Sequence, residues 1–174
     1  LALVRENSLF GYINRKGDWA IKPVYRTART FNKDLAAVQV HMGWGYINKQ
    51  GKMVIPTNFE AGWDFNEGLA AVQSADKWGF IDRTGEFVVK AEFDSAYEFQ
   101  EGLAYVTVNS TANFIDKTGK LTMADTIFID GQNFSQGLAA VRSYKNGKIG
   151  YIKKNGKFVI SPKYDMAFLF HQGL

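Results

Sequence analysis

Short runs of valine, isoleucine, leucine and aromatic residues, bounded by glycine and polar residues, recur along the whole chain. Clusters of this length and composition predict β-strands. In Trp44-Gly45-Tyr46-Ile47 the two aromatics fall on one face and Ile47 on the other, and Leu35 and Ala37 oppose Ala36 and Val38. Both faces are therefore apolar, and such a sheet must be covered on both sides. Successive three-stranded antiparallel meanders packed face to face satisfy that demand. Between the second and third strands stand Asn48-Lys49-Gln50-Gly51, Asp82-Arg83-Thr84-Gly85 and Asp116-Lys117-Thr118-Gly119. An acceptor side chain at the first position and a left-handed glycine at the fourth predict a tight hairpin. Phe59, Gly62 and Phe65 lie three apart, as do Phe93, Ala96 and Phe99, and Tyr164, Ala167 and Phe170. This segment is either one helical turn or a fourth, irregular strand, and the spacing favours the turn.

The elements come in repeats. Leu-Ala-x-Val opens units at Leu1, Leu35, Leu69, Leu103 and Leu138, and Leu174 begins another, so the units are 1–34, 35–68, 69–102, 103–137 and 138–173. Repetition at this period is the mark of stacked supersecondary units that cannot bury their apolar faces alone, and a single array over residues 1–174 is expected. Three clear strands per unit favour an open, curved or superhelical stack, since propeller blades carry four. A five-bladed propeller-like ring is the alternative. The array starts and stops at the same point of the repeat, which suggests an excerpt of a longer chain. The fourth unit is the irregular one, with Ala112-Asn113 in place of Trp-Gly. Asp34 stands where the other units place glycine, and Asp tolerates the left-handed conformation better than most residues.

Written in register, the units carry Trp-Gly-aromatic-Ile-Asn/Asp, Gly, an apolar triplet, then aromatic, small, Phe and Gly-Leu-Ala, as in Trp78-Gly79-Phe80-Ile81-Asp82 through Gly102-Leu103-Ala104. This pattern resembles the WG repeat family of mainly bacterial tandem repeats, over the full 174 residues. The resemblance implies an all-β binding or interaction module without shared chemistry. Phe10, Asp34, Ala112-Asn113 and Ile149 depart from the pattern.

Composition narrows the function classes. Hydrophobic residues make up 46% and aromatics 15%, ample for a continuous core, and there is no cysteine for a disulfide or a thiolate metal site. No apolar run approaches the roughly 20 residues of a membrane span. The net charge of +4 is unevenly placed: residues 1–34 hold seven basic and three acidic side chains, residues 35–137 seven and thirteen, and residues 138–174 seven and one. An acidic middle interrupts any basic stripe, which argues against nucleic acid. His41 and His171 stand in different registers without further ligands nearby, and the glycines punctuate strands instead of opening a phosphate loop. Glu67 and Glu101 are one period apart, but Lys33 and Gln136 occupy the same register. No cofactor is implied, and a catalyst is not expected.

The stronger functional signal is a register that swings between aromatic and polar residues. Two positions before the fixed phenylalanine stand Arg29, Trp63, Tyr97, Gln132 and Phe168. Trp63, Tyr97 and Phe168, with Tyr105 in place of a strand alanine and Trp19 in the first unit's third strand, are the candidate partner-binding residues, because amphipathic aromatics give large contact area at low entropy cost. A protein or peptide partner is expected; a glycan is the alternative, since Asp64, Asn66, Glu98 and Gln100 flank the aromatics, and a purely structural spacer is the third reading.

Overall fold

The computed structural model describes residues 1–123 and 128–170, and they form an all-β array. Unit four's third segment, Leu121-Thr122-Met123-Ala124, and His171, Gln172, Gly173 and Leu174 lie partly or wholly outside the described residues. The first sheet consists of β1 (Ala2–Glu6), β2 (Leu9–Ile13) and β3 (Trp19–Tyr25). The second holds β4 (Thr27–Ala28), β5 (Leu35–Val40), β6 (Gly43–Asn48) and β7 (Met53–Phe59), and the third β8 (Ala61–Gly62), β9 (Ala70–Ser74), β10 (Lys77–Ile81) and β11 (Phe87–Phe93). A seven-stranded sheet follows: β12 (Ser95–Ala96), β13 (Ala104–Val108), β14 (Thr111–Ile115), β15 (Phe128–Gly131), β16 (Ala139–Ser143), β17 (Ile149–Ile152) and β18 (Phe158–Tyr164). All pairings are antiparallel between neighbours in sequence, and none of the sheets closes into a barrel.

In the first three units the segment for which three-residue spacing favoured a helical turn is instead a short fourth strand, whereas residues 165–170 form neither helix nor strand. The short strand pairs not with its own unit but with the next: Ala28 lies opposite Val38, Gly62 opposite Val72, and Ala96 opposite Val106. A blade therefore begins in the tail of one repeat and ends with the third strand of the following one. The two-residue strand is too short to show an alternating pattern, which is why the spacing of its flanking aromatics misleads. In the irregular fourth unit β15 joins two blades into the single seven-stranded sheet, bridging Ala112 on β14 and pairing Gly131 with Val141 on β16.

The two-faced strands pack as their pattern requires. Leu35, Ala37, Tyr46, Ile55 and Phe59 from one blade meet Ala70, Val72 and Ile81 from the next in one buried cluster, and the same contact recurs when Ala71, Phe80 and Val89 meet Ala104, Val106 and Ile115. Each blade thus presents one face backwards and the other forwards, and burial of these aliphatic and aromatic groups drives the stacking.

Two glycines show how the hairpins close. At Gly45 a Cβ would stand 2.5 Å from the carbonyl oxygen of Ile55, because β6 and β7 approach closely at a register shift. The close approach made by the Trp-Gly glycine is within the blade. Gly85, at the hairpin tip with φ 92°, lies over the Ile55 side chain of the preceding blade. The turn chemistry is as expected: the Asp82 carboxylate accepts hydrogen bonds from the Thr84 and Glu86 amides, and Asn48 and Asp116 do likewise for their turns. Those bonds hold the Asp82 and Asp116 carboxyls below their ordinary range, with the Thr84 and Thr118 side chains as the leading cause. Asp34 departs from expectation: Lys33 takes the left-handed conformation in that turn, and Asp34 does not. Its carboxylate is free to reach the next blade, where it pairs with Arg83 at 2.6 Å.

Candidate functional site

The swing residues Arg29, Trp63, Tyr97 and Gln132 each directly follow a short strand, and the frame beneath them is constant. The Arg29 amide donates to Ala37 O, Trp63 to Ala71 O, Tyr97 to Tyr105 O and Gln132 to Ala140 O, all within 2.9–3.0 Å. Where the core aromatic after the Trp-Gly glycine is tyrosine, its hydroxyl donates to the carbonyl of this residue at 2.8 Å: Tyr12 to Arg29, Tyr46 to Trp63 and Tyr151 to Phe168. Burial pushes the Tyr12 and Tyr46 hydroxyls well above the usual tyrosine range, so both remain neutral donors. The backbone of the rim is therefore fixed while its side chains vary.

At the first blades the rim is filled from within. The Arg29 guanidinium lies 4.3 Å from the Trp63 ring and 5.7 Å from Trp44, and its Nε donates to the Gly62 carbonyl. Trp63 in turn stacks on Trp78 with ring centroids 6.1 Å apart. Both tryptophans are half-buried at the edge of the core, and Tyr46 and Phe80 one pleat further in are fully buried, so the repeat's tryptophan is a rim residue. Below them, burial raises the Asp64 carboxyl against the opposing pull of Arg29, and burial and the charge of Asp64 raise Glu98.

At the later blades the rim is open. Tyr97, Tyr105, Gly131, Gln132, Asn133, Phe168 and their neighbours Gln100, Asp130 and Leu169 enclose a cleft of about 520 Å³. Tyr97 is 47% exposed and Phe168 71%, whereas Tyr105 is 4% exposed and forms the floor. The Tyr105 and Tyr97 rings lie 5.4 Å apart, and the Tyr105 hydroxyl donates to Asp130 Oδ1 at 3.2 Å. Asn133 braces the wall, accepting from the Tyr105 amide and donating to the Glu98 carbonyl.

Three of the five sequence-nominated residues, Tyr97, Tyr105 and Phe168, thus meet in one cleft. Trp63 is held in the Arg29 stack, and Trp19 stands exposed at the start of β3, opposite Ile13 and outside the lining of the cleft. Gln132, Asn133, Gln100 and Asp130 were missed as site residues. Gln132 and Asn133 could have been found, because they stand in the rim registers of Trp63 and Asp64.

Glu67 and Glu101 are clamps between blades. Glu67 accepts from the Gly102 amide and pairs with Lys117 at 3.1 Å, and Glu101 accepts from the Gly137 amide and pairs with Lys154 at 3.4 Å. Burial opposes ionisation of Glu67, but the Lys117 and Gly102 contacts outweigh it and lower its pKa.

Sheets that borrow their first strand from the preceding repeat, stacked face to face, define an all-β tandem-repeat protein. The chain belongs to the WG containing repeat family, which matches residues 10–41, 44–78, 78–111 and 149–174. Residues 112–148, which these matches skip, span most of the irregular fourth unit and the start of the fifth. No curated protein matches the chain in sequence. Among solved structures it is similar to the β-propeller-like Hsv2 of Kluyveromyces lactis, with 12% identity and a TM-score of 0.60 over 90% of this chain and 58% of that one. A eukaryotic initiation factor is similar at 14% identity and a TM-score of 0.54, over 93% of this chain and 51% of that one. The chain spans little more than half the length of these structures, and the likeness is one of fold.

Proposed function

We propose that the chain is a non-catalytic binding module of a bacterial repeat protein, and that it holds a protein or peptide partner in the cleft bounded by Tyr97, Tyr105 and Phe168. The observation that carries this reading is the juxtaposition of two exposed aromatic rings over a buried, hydrogen-bonded tyrosine floor, beside a 520 Å³ space. Exposed aromatics on a rigid frame provide the anchors of protein interfaces. Membership of a family whose repeats resemble interaction modules, and a propeller-like fold, are in keeping with it.

The test is capture of partners on the immobilised chain, repeated with Tyr97→Ala combined with Phe168→Ala. Loss of at least about tenfold in affinity for a captured partner, about 1.4 kcal/mol, is expected with the fold retained. Unchanged binding by the double variant would place the site elsewhere. A glycan is the second reading, favoured by the Gln100 and Gln132 amides and the Asp130 carboxylate beside stacking rings; glycan-array binding without any captured protein would select it.

A further inference from the structure

The open cleft has a filled counterpart within the same molecule. Arg29 and Gln132 occupy one register, each with its amide bonded to the alanine carbonyl of the following strand. The rim residue after Arg29 is Trp63, and the one after Gln132 is Phe168. Between Arg29's blade and the next, the guanidinium itself fills the space, over Trp63 and Trp44 with the Gly62 carbonyl as acceptor. At Gln132 the shorter neutral side chain leaves the equivalent space open, walled by Tyr97 on one side and Phe168 on the other.

We propose that this cleft receives an arginine side chain of the partner, which takes between Tyr97 and Phe168 the place that Arg29 takes beside Trp63. The proposal rests on the binding role argued above and specifies its chemistry. A guanidinium is planar and weakly hydrated, so it stacks on aromatic faces more readily than an ammonium. The counter-charge is Asp130. Its Oδ1 is held by the Tyr105 hydroxyl and by the Gly131 amide at 2.7 Å, and among the described residues it has no ion-pair partner. The cation across the strand, Arg142, points its guanidinium to the Gly147 carbonyl at 2.6 Å instead. Of the remaining acids near the cleft, the Glu98 carboxyl is half-buried, bonded to the Asn66 side chain and disfavoured from ionising by burial and by Asp64, and Glu101 already has Lys154. The Gln100 and Gln132 amides line the same space and suit the peptide groups that flank the side chain.

The probe is a short glycine-serine peptide with one central arginine, titrated into the labelled chain and followed by heteronuclear NMR, beside the same peptide with neutral, nearly isosteric citrulline. The arginine peptide should shift the amides of residues 97–100 and 130–133 and bind at least about fivefold more tightly than the citrulline peptide. Gln132→Arg should abolish the binding by filling the cleft from within. Asp130→Asn, an isosteric change at an exposed side chain, should weaken it without touching the fold, and Met42→Ala on a distant turn should leave it unchanged. Equal affinity for the two peptides, shifts that map elsewhere, undiminished binding by Gln132→Arg, or no shift at all would each overturn the arginine assignment. The wider binding role fails separately, when a captured partner is indifferent to Tyr97→Ala with Phe168→Ala.

Discussion

The rim between the second and third blades and the rim around Gln132 share one backbone frame and differ in what stands on it. In the first, Arg29, Trp63, Trp44 and Trp78 form a continuous cation and aromatic stack. In the second, Gln132 breaks that continuity between Tyr97 and Phe168 and leaves a cleft. A repeat array therefore makes a cleft by omission: where the rim residue is long and cationic the surface is sealed, and where it is short the aromatics on either side are left uncovered. The frame supplies rigidity in both places, through strand pairing and buried contacts between blades.

If the frame is common, damage to it should be equally severe in both regions. Gly45→Val and Gly79→Val each drive a branched side chain against the third strand's backbone, where even a Cβ would sit 2.5–2.6 Å from the nearest atom. Each should cost about 3 kcal/mol, and so should Gly150→Val at the far end. Chemical denaturation of the three variants would break the comparison if the loss at one end were slight.

The two rims should respond unequally to loss of their register residue. Arg29→Ala removes a half-buried guanidinium from two aromatic faces and from the Gly62 carbonyl, with an expected loss of about 2 kcal/mol. Gln132→Ala should change stability by less than about 0.5 kcal/mol. Equal losses in thermal melts would mean that the cleft at Gln132 is as tightly held as the Arg29 stack.

Much of the frame was legible because its causes are local. Asn48, Asp82 and Asp116 announce the hairpins through side chains that bond amides two and four residues on, and the apolar character of both strand faces dictates face-to-face packing. The two-residue strand was not legible, since Ala61 and Gly62 acquire their role only from Val72 and Gln73 in the next unit. The same holds for the rim. That Tyr97, Tyr105 and Phe168 converge, while Trp63 is occupied by Arg29, depends on contacts between units that no single repeat encodes. The swing between aromatic and polar residues in one register was the available signal, and it marks one self-filled junction as well as one open cleft.

A smaller effect sharpens the sealed region. Trp63 and Trp78 stack on each other, so their alanine substitutions should be non-additive by about 1 kcal/mol in a double-mutant cycle. Additive losses would show that each packs independently and that the stack is incidental.

The smallest effect is one of pH. Burial raises the folded-state pKa of Asp64, and burial together with Asp64 raises that of Glu98. The folded chain holds these protons more tightly than the unfolded chain, so their contribution favours folding below the unfolded carboxylate range and is lost as pH rises through the folded pKa values. Asp64→Asn should therefore stabilise the protein modestly near neutral pH, and that gain should vanish in acid. A gain that persists at low pH would point to packing as its cause.

The central claim is that one rigid frame is sealed or opened by the side chain at the rim register. A high-resolution structure of Gln132→Arg tests it most directly. The account predicts an unmoved backbone, with the new guanidinium lying between the Tyr97 and Phe168 rings and close to Asp130. A side chain turned out into solvent over an unchanged open cleft, or a displaced blade, would contradict it.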